Sequence, residues 1–481
     1  METLPKRQAV VVIHGIGEQR PMETVRSFVD AVVTKANPTG QRYWNRPDRM
    51  SQSFELRKFT APGDGRNWPT TDYYEYYWAA NMRDTTWSDV LTWLGHLLLT
   101  PGKNMPARIK WVWWWSRVLV AIGLVVGVAA GIASSTVGAS LVTRYSWLIS
   151  GASFVAAAVL NLVFIQFIGD AARYLSPKPG NIAQRQAIRR NGVELIRRLH
   201  ESGEYGRVVV MGHSLGSVIA YDVLRFVWDE FRNVSPTSDT PERRACLDQM
   251  RAMLAQGVPA DPANAAAYAA AQDAYAKRFQ ALERELWRIE RENGGDWLVT
   301  DLVTCGSPLA HAAILLADSP QDLARRQRER ELPTCPPTAQ CEEDPFVYEH
   351  NLTDDDGAPA GTVPVLHTSA TFASVRWTNL YFDADFIGGP VAPVFGPGVR
   401  DVVVTPERDA TPGASRKTLA FLKGYTPWSH SMYWATPPTG GTVAPQWWDA
   451  VRRMRDALDV DDTRLTTFSE QAAPDTVGAD D

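Results

Sequence analysis

Val208-Val-Val-Met-Gly-His-Ser-Leu-Gly216, running on into Ser217-Val-Ile-Ala-Tyr-Asp-Val-Leu224, decides how this chain folds. Four consecutive apolar residues read as a strand buried on both faces, and the stretch after Gly216 has the apolar content of a packed helix. Between them lies Gly-x-Ser-x-Gly. A serine hydroxyl is a weak nucleophile unless a base takes its proton and the backbone presents the oxygen to a substrate. A sharp turn from strand to helix does the second job, because the flanking glycines remove side chains that would collide there. Ser214 is therefore the candidate nucleophile.

The same alternation recurs outward from this turn. Ala9-Val-Val-Val-Ile13 is another apolar β-branched run, ending in His14-Gly15-Ile16-Gly17. Val25, Phe28, Val29, Val32 and Val33 then recur at helical spacing over Met22–Thr34. Tyr73–Trp78, Arg207–Met211, Leu298–Thr304, Ser374–Tyr381 and Val399–Val404 read as further strands, with helices over Ile182–Leu199 and Ser217–Phe231. Strands alternating with helices predict an α/β fold, a mostly parallel sheet covered on both sides. From about 235 to 295 the composition turns to Ala, Arg, Glu and Gln. Tyr268, Ala271, Tyr275, Leu282, Leu286 and Ile289 line one face of a long helix there, an insertion that serves as a cap or as a coiled-coil contact. The polar, Pro-rich stretch from about 319 to 362 reads as loop. Asp354-Asp355-Asp356-Gly357 within it lacks the alternate-ligand spacing of a calcium loop.

Bulk composition narrows the class. A net charge of −5 over 481 residues offers no basic surface for nucleic acid. The four cysteines, Cys246, Cys305, Cys335 and Cys341, are too few for a disulfide framework and lack His partners at metal spacing, so they read as reduced thiols. The N-terminus has no basic–apolar–small pattern, implying no cleaved signal peptide. The last dozen residues are acidic and small and read as disordered.

Two stretches depart from a soluble pattern. Residues 118–142 are twenty-five residues without a charge, and residues 147–168 are twenty-two with Asn161 and Gln166 as the strong polar groups. Each is long enough to cross a hydrocarbon layer of roughly 30 Å as a helix. Thr143-Arg144-Tyr145-Ser146 makes the turn of a hairpin, and Trp111, Trp113, Trp114 and Trp115 sit where interfacial aromatics belong. A helical pair buried in a soluble domain would not need two consecutive uncharged spans. Lys103, Arg108, Lys110 and Arg117 precede the hairpin and Arg173, Lys178, Arg185, Arg189 and Arg190 follow it, which assigns both ends and the attached body to the cytoplasm. Gly123, Gly127 and Gly131 form a small-residue stripe for helix packing, within the hairpin or between copies of the chain. The 264–293 helix is the other candidate contact for a homo-oligomer. Upstream, Val90, Leu91, Leu94, Leu97 and Leu98 recur at helical spacing, as an interfacial or a core-facing helix.

The Val10–Gln19 and Val208–Gly216 motifs resemble the α/β-hydrolase superfamily, in particular its serine esterase and lipase branch. Thr304-Cys-Gly-Ser-Pro-Leu309 resembles the strand end that follows the nucleophile helix in lipase-like members. The resemblance implies a triad in the chain order Ser, acid, His. Trp377-Thr-Asn-Leu-Tyr-Phe-Asp383-Ala-Asp385-Phe-Ile-Gly-Gly389 is similar to the family segment with an Asp before an Ile-Gly turn, which selects Asp385, with Asp383 the competitor. His430 is the one histidine downstream of Asp385. His311, His350 and His367 stay open if the acid lies earlier, for example at Asp301. Acyl transfer also needs preorganised N–H donors for the developing oxyanion; Ile16 and Leu215 supply them in this reading, and His14 is structural. No metal or cofactor is required.

The organisation that follows is a hydrolase body in pieces (1–100, 176–234 and 298–465), a membrane hairpin at 101–175, a helical insertion at 235–297 and a tail at 466–481. A membrane anchor on such a body points to the lipid bilayer as partner and to ester or lipid substrates. A serine thioesterase or peptidase on the same fold is the second enzymatic expectation, and a non-catalytic membrane scaffold the third.

Overall fold

A computed structural model describes residues 7–81, 179–406, 426–434 and 448–462, apart from short interruptions at 17–19, 35–39, 65–67, 236–237, 341–342 and 354–358, together with scattered positions between 101 and 118 and Tyr174. The apolar spans at 118–142 and 147–168 lie outside the described residues from 119 onward. So do the leucine-rich stretch at 87–98, the Asp354–Gly357 turn, Cys341 and the C-terminal tail. Among the described residues no helix is long and apolar enough to cross a membrane.

The body is an α/β fold around an eight-stranded sheet. Ten strands follow in chain order: β1 (Arg7–Ile13), β2 (Trp44–Pro47), β3 (Arg57–Ala61), β4 (Thr71–Tyr76), β5 (Tyr205–His213), β6 (Val299–Cys305), β7 (Val347–Thr353), β8 (Pro359–Leu366), β9 (Arg376–Phe382) and β10 (Arg400–Val404). β7 and β8 pair with each other, and the other eight lie in the order β10-β9-β6-β5-β1-β4-β3-β2. All pairings from β10 to β4 are parallel, and β3 and β2 extend the edge antiparallel. β1 and β5 lie at the centre. Their apolar runs, Ala9–Ile13 and Val208–Met211, are buried because helices cover both faces.

The helices are α1 (Glu23–Val32), α2 (Pro179–Glu201), α3 (Leu215–Phe231), α4 (Pro241–Gln256), α5 (Ala265–Glu292) and α6 (Trp448–Leu458), beside shorter turns. One face of the sheet buries Ile196, Val218, Leu224, Met250, Phe279 and Trp287 from α2 to α5. The other buries Val25, Phe28, Val451 and Met454 from α1 and α6 against Val10, Val12, Val209 and Met211. Alternate residues of β1 and β5 thus enter opposite cores, as the two-residue period of a strand requires.

Of the α5 stripe that could serve a cap or a coiled coil, Tyr275, Leu286 and Ile289 are buried in the core, whereas Tyr268, Ala271 and Leu282 are only part-buried. Phe279 and Trp287 are buried too, and Gln280 donates to the Trp377 carbonyl at 2.9 Å. Trp377 stands near the start of β9, the end of the sheet away from Ser214. The loop expected over 319–362 is corrected. It contains a helix at Pro320–Arg328 and the antiparallel hairpin of β7 and β8. Polar residues in Tyr348-Glu-His-Asn351 conceal that hairpin, since its strands form their own two-stranded sheet. Cys246, Cys305 and Cys335 are free and buried.

Candidate active site

Parallel strands deliver their C-terminal ends to one edge, and the candidate residues collect there. β5 runs through His213 into α3, which begins at Leu215. Ser214 occupies the turn with φ 53° and ψ −130°, a positive-φ conformation that disfavours any side chain. Strain of this kind persists where the surroundings over-determine it. Here the Ser214 N–H donates to the Cys305 carbonyl at the end of β6, at 3.0 Å, and the Ser214 carbonyl accepts from the Ser217 hydroxyl at 2.6 Å. Gly216 lies against the Ile13 carbonyl so closely that a Cβ could not be accommodated. The turn is thereby locked between β1 and β6.

Ser214, His430 and Asp385 form a continuous relay. The Ser214 hydroxyl and His430 Nε2 are 2.9 Å apart, and His430 Nδ1 is 2.9 Å from Asp385 Oδ2. All three are buried, with 3%, 6% and 0% of their surface exposed, so their polar groups meet away from bulk water. His430 lies in the short helical turn Pro427–Ser431, and Asp385 in the turn after β9. The acid is the most constrained member. Its Oδ1 accepts the N–H groups of Ile387 and Gly388 at 3.0 Å each, and its Oδ2 also accepts the Tyr433 hydroxyl at 2.9 Å. Burial pushes the Asp385 carboxyl upward. The His430 charge and hydrogen bond, with those of Gly388 and Tyr433, outweigh that and hold it below its ordinary value. Asp383 sits two residues earlier on an exposed turn.

The other candidate histidines go elsewhere. His311 Nε2 is 3.1 Å from the Phe386 carbonyl, His367 Nε2 is 2.8 Å from the Pro345 carbonyl, and His350 Nδ1 is 3.3 Å from the Tyr348 hydroxyl. Asp301 faces the buried Arg207 guanidinium at 2.6 Å, together with Arg376. That cluster holds strands together at the opposite end of the sheet. His14 is wholly buried, stacked on Trp78 at a ring separation of 5.1 Å, and its Nδ1–H donates to the Gly15 carbonyl at 2.8 Å. Burial lowers its pKa to about 4, which leaves the ring neutral.

Two backbone segments border Ser214. Leu215 opens α3, so its N–H has no partner within the helix and lies at the positive end of the helix dipole. Gly15 approaches from β1, where a Cβ would come 2.8 Å from the Ser214 Cβ, and Ile16 follows it directly. Residues 17–19 of that loop lie outside the described residues.

Sequence reasoning passed over Tyr433 and Gly306. Tyr433 stands three residues after His430 in the same segment, and its buried hydroxyl needs a partner, which Asp385 provides. Gly306 has φ +56°, and a Cβ there would come 2.9 Å from the Tyr433 ring and 3.0 Å from the His430 ring. The Cys-Gly-Ser-Pro phrase therefore makes room for the His430 and Tyr433 rings. Comparison with protein families, curated proteins and solved structures returns no match, so the geometry of Ser214, His430 and Asp385 carries the functional reading.

Proposed function

We propose that this chain is a serine hydrolase of the α/β-hydrolase kind that cleaves carboxylic esters through an acyl-enzyme on Ser214. The observation that carries the reading is the buried relay from Ser214 to His430 to Asp385, assembled from three separate segments of the chain. In the first half-reaction the Ser214 oxygen attacks the ester carbonyl carbon and its proton passes to His430 Nε2. Asp385 holds the imidazolium by its Nδ1–H. The oxyanion receives hydrogen bonds from the Ile16 and Leu215 amides. The C–O bond to the alcohol then breaks, and His430 returns the proton to the leaving oxygen. Water, deprotonated by His430, repeats the sequence on the acyl-enzyme and frees the acid.

A lipid-like substrate is supported by where the apolar spans join the body. β4 and β5 both run parallel to β1, with Tyr76 and Gly212 each opposite Ile13, so β4 ends at the edge that bears Ser214. α2 finishes just before β5 begins, so it runs antiparallel to the strands and starts at that edge too. The described elements that flank the segment containing residues 118–168 thus end and begin at the edge that bears Ser214. A hairpin inserted in a bilayer there would turn Ser214 toward the cytoplasmic surface of that membrane. The test is ester turnover by the purified full chain in detergent, over a panel of lipid and water-soluble esters of graded acyl length. Turnover that rises with acyl length and is lost in Ser214→Ala supports the reading. Turnover unchanged in Ser214→Ala contradicts it.

A further inference from the structure

We propose that His213, the residue between Gly212 and the nucleophile, is a positioning residue that holds the backbone of the general base. This inference rests on the reading of Ser214 and His430 as nucleophile and base. His213 Nε2 lies 2.9 Å from the His430 carbonyl oxygen. A carbonyl only accepts, so Nε2 carries the proton and donates. Asp385 grips His430 by its side chain, and His213 grips it by its main chain. The elbow thus ties the base to the same turn that presents the nucleophile.

The ring is itself held for this task. It packs on His430 at 5.0 Å between centroids, on Tyr433 at 5.8 Å and on Trp434 at 5.0 Å. Trp434 is anchored in turn by its Nε1–H to the Ser27 hydroxyl at 3.2 Å. On the other side, a Cβ on Gly15 would come 3.1 Å from His213 Nδ1, so the ring also borders the strand end that leads to Ile16. One imidazole therefore touches the loop of the base, the elbow and the approach to the oxyanion amides. Burial, with the adjacent His430 charge, lowers its pKa to about 3. His213 stays neutral when His430 takes the Ser214 proton, and so adds no competing charge beside the imidazolium.

The experiment compares His213→Phe and His213→Gln in the full chain, on a water-soluble ester, with kcat, KM and melting temperature measured for each. A glutamine amide places an N–H near the position of Nε2, whereas phenylalanine keeps only the packing. The expected result is a kcat lower by roughly ten- to a hundredfold in His213→Phe with KM little changed, because a base displaced by a fraction of an ångström loses alignment. His213→Gln recovers most of that kcat. Wild-type kcat in His213→Phe overturns the proposal, as does a His213→Gln variant that melts like wild type yet has the low kcat of His213→Phe. Should His213→Phe fail to fold, His213→Gln decides alone: near-wild-type kcat supports the proposal, and a kcat lowered ten- to a hundredfold (roughly) at wild-type melting temperature overturns it. Turnover that survives Ser214→Ala overturns the nucleophile reading instead, which separates the two failures.

Discussion

Tyr433 donates its hydroxyl to Asp385 Oδ2 at 2.9 Å, the oxygen that also receives His430 Nδ1–H at 2.9 Å. With the Ile387 and Gly388 amides on Oδ1, the carboxylate has four donors and no freedom to swing away. Asp385→Asn presents the wrong hydrogen-bonding partner to Nδ1 and is expected to lower kcat by about four orders of magnitude. Asp383→Asn, on its exposed turn, is expected to leave kcat near wild type. Steady-state kinetics on one soluble ester checks both. The reverse ranking would move the acid to Asp383.

Gly306→Ala is expected to harm catalysis by a different route. The new methyl group needs a residue at φ +56° and space now filled by the Tyr433 and His430 rings. The conformational cost is on the order of 1 kcal/mol. The collision adds to it by pushing the base from Ser214. A lowered melting temperature with a disproportionate loss of kcat is the expected pair of results. Unchanged kcat would mean that the base adapts.

Much of this arrangement is legible in the residues. Val208–Met211 and Ala9–Ile13 are apolar throughout because both faces of a central parallel strand are covered. Ser214 stands out because strand, turn and helix signals agree around it. The edge is not legible. β2 is four residues of Trp-Asn-Arg-Pro with a solvent-facing side, and β3 pairs through contacts distant in sequence from the elbow. Tyr433 is likewise invisible as a partner of Asp385, since 48 residues separate them and the fold brings them together. Arg207 opens the expected strand Arg207–Met211 as its one charged residue. It is wholly buried, because Asp301 on the neighbouring strand and the Leu458 and Asp459 carbonyls satisfy it.

Glu75 sets a pH dependence of stability. Its carboxyl is wholly buried beneath the start of α1, where it accepts the Met22 N–H. Burial raises its pKa to about 7, and the hydrogen bonds from the Met22 and Val25 amides offset this only in part. The folded value exceeds the ordinary 4.5, so the stability linked to this group is fully present below 4.5 and is lost as the pH rises through about 7. Glu75→Gln is expected to match wild type in stability near pH 5 and to exceed it near pH 8, by roughly 1–3 kcal/mol. Thermal melting at the two pH values checks this, and an equal difference at both would contradict it.

The proposed membrane hairpin is tested separately. The full chain is expected to float with phospholipid vesicles and to resist alkaline extraction, and a chain lacking residues 111–170 is expected to lose both properties. Continued flotation of the shortened chain would place the membrane contact elsewhere.

The central claim is that Ser214 is activated by His430, and covalent labelling by a fluorophosphonate reads that directly. The wild-type chain is expected to take up one phosphonyl group, located on Ser214 by peptide mass. Ser214→Ala is expected to show none, and His430→Ala to label slower by several orders of magnitude, with both variants folded as judged by melting. A folded wild-type chain that does not label, or that labels equally well after Ser214→Ala, would contradict the account.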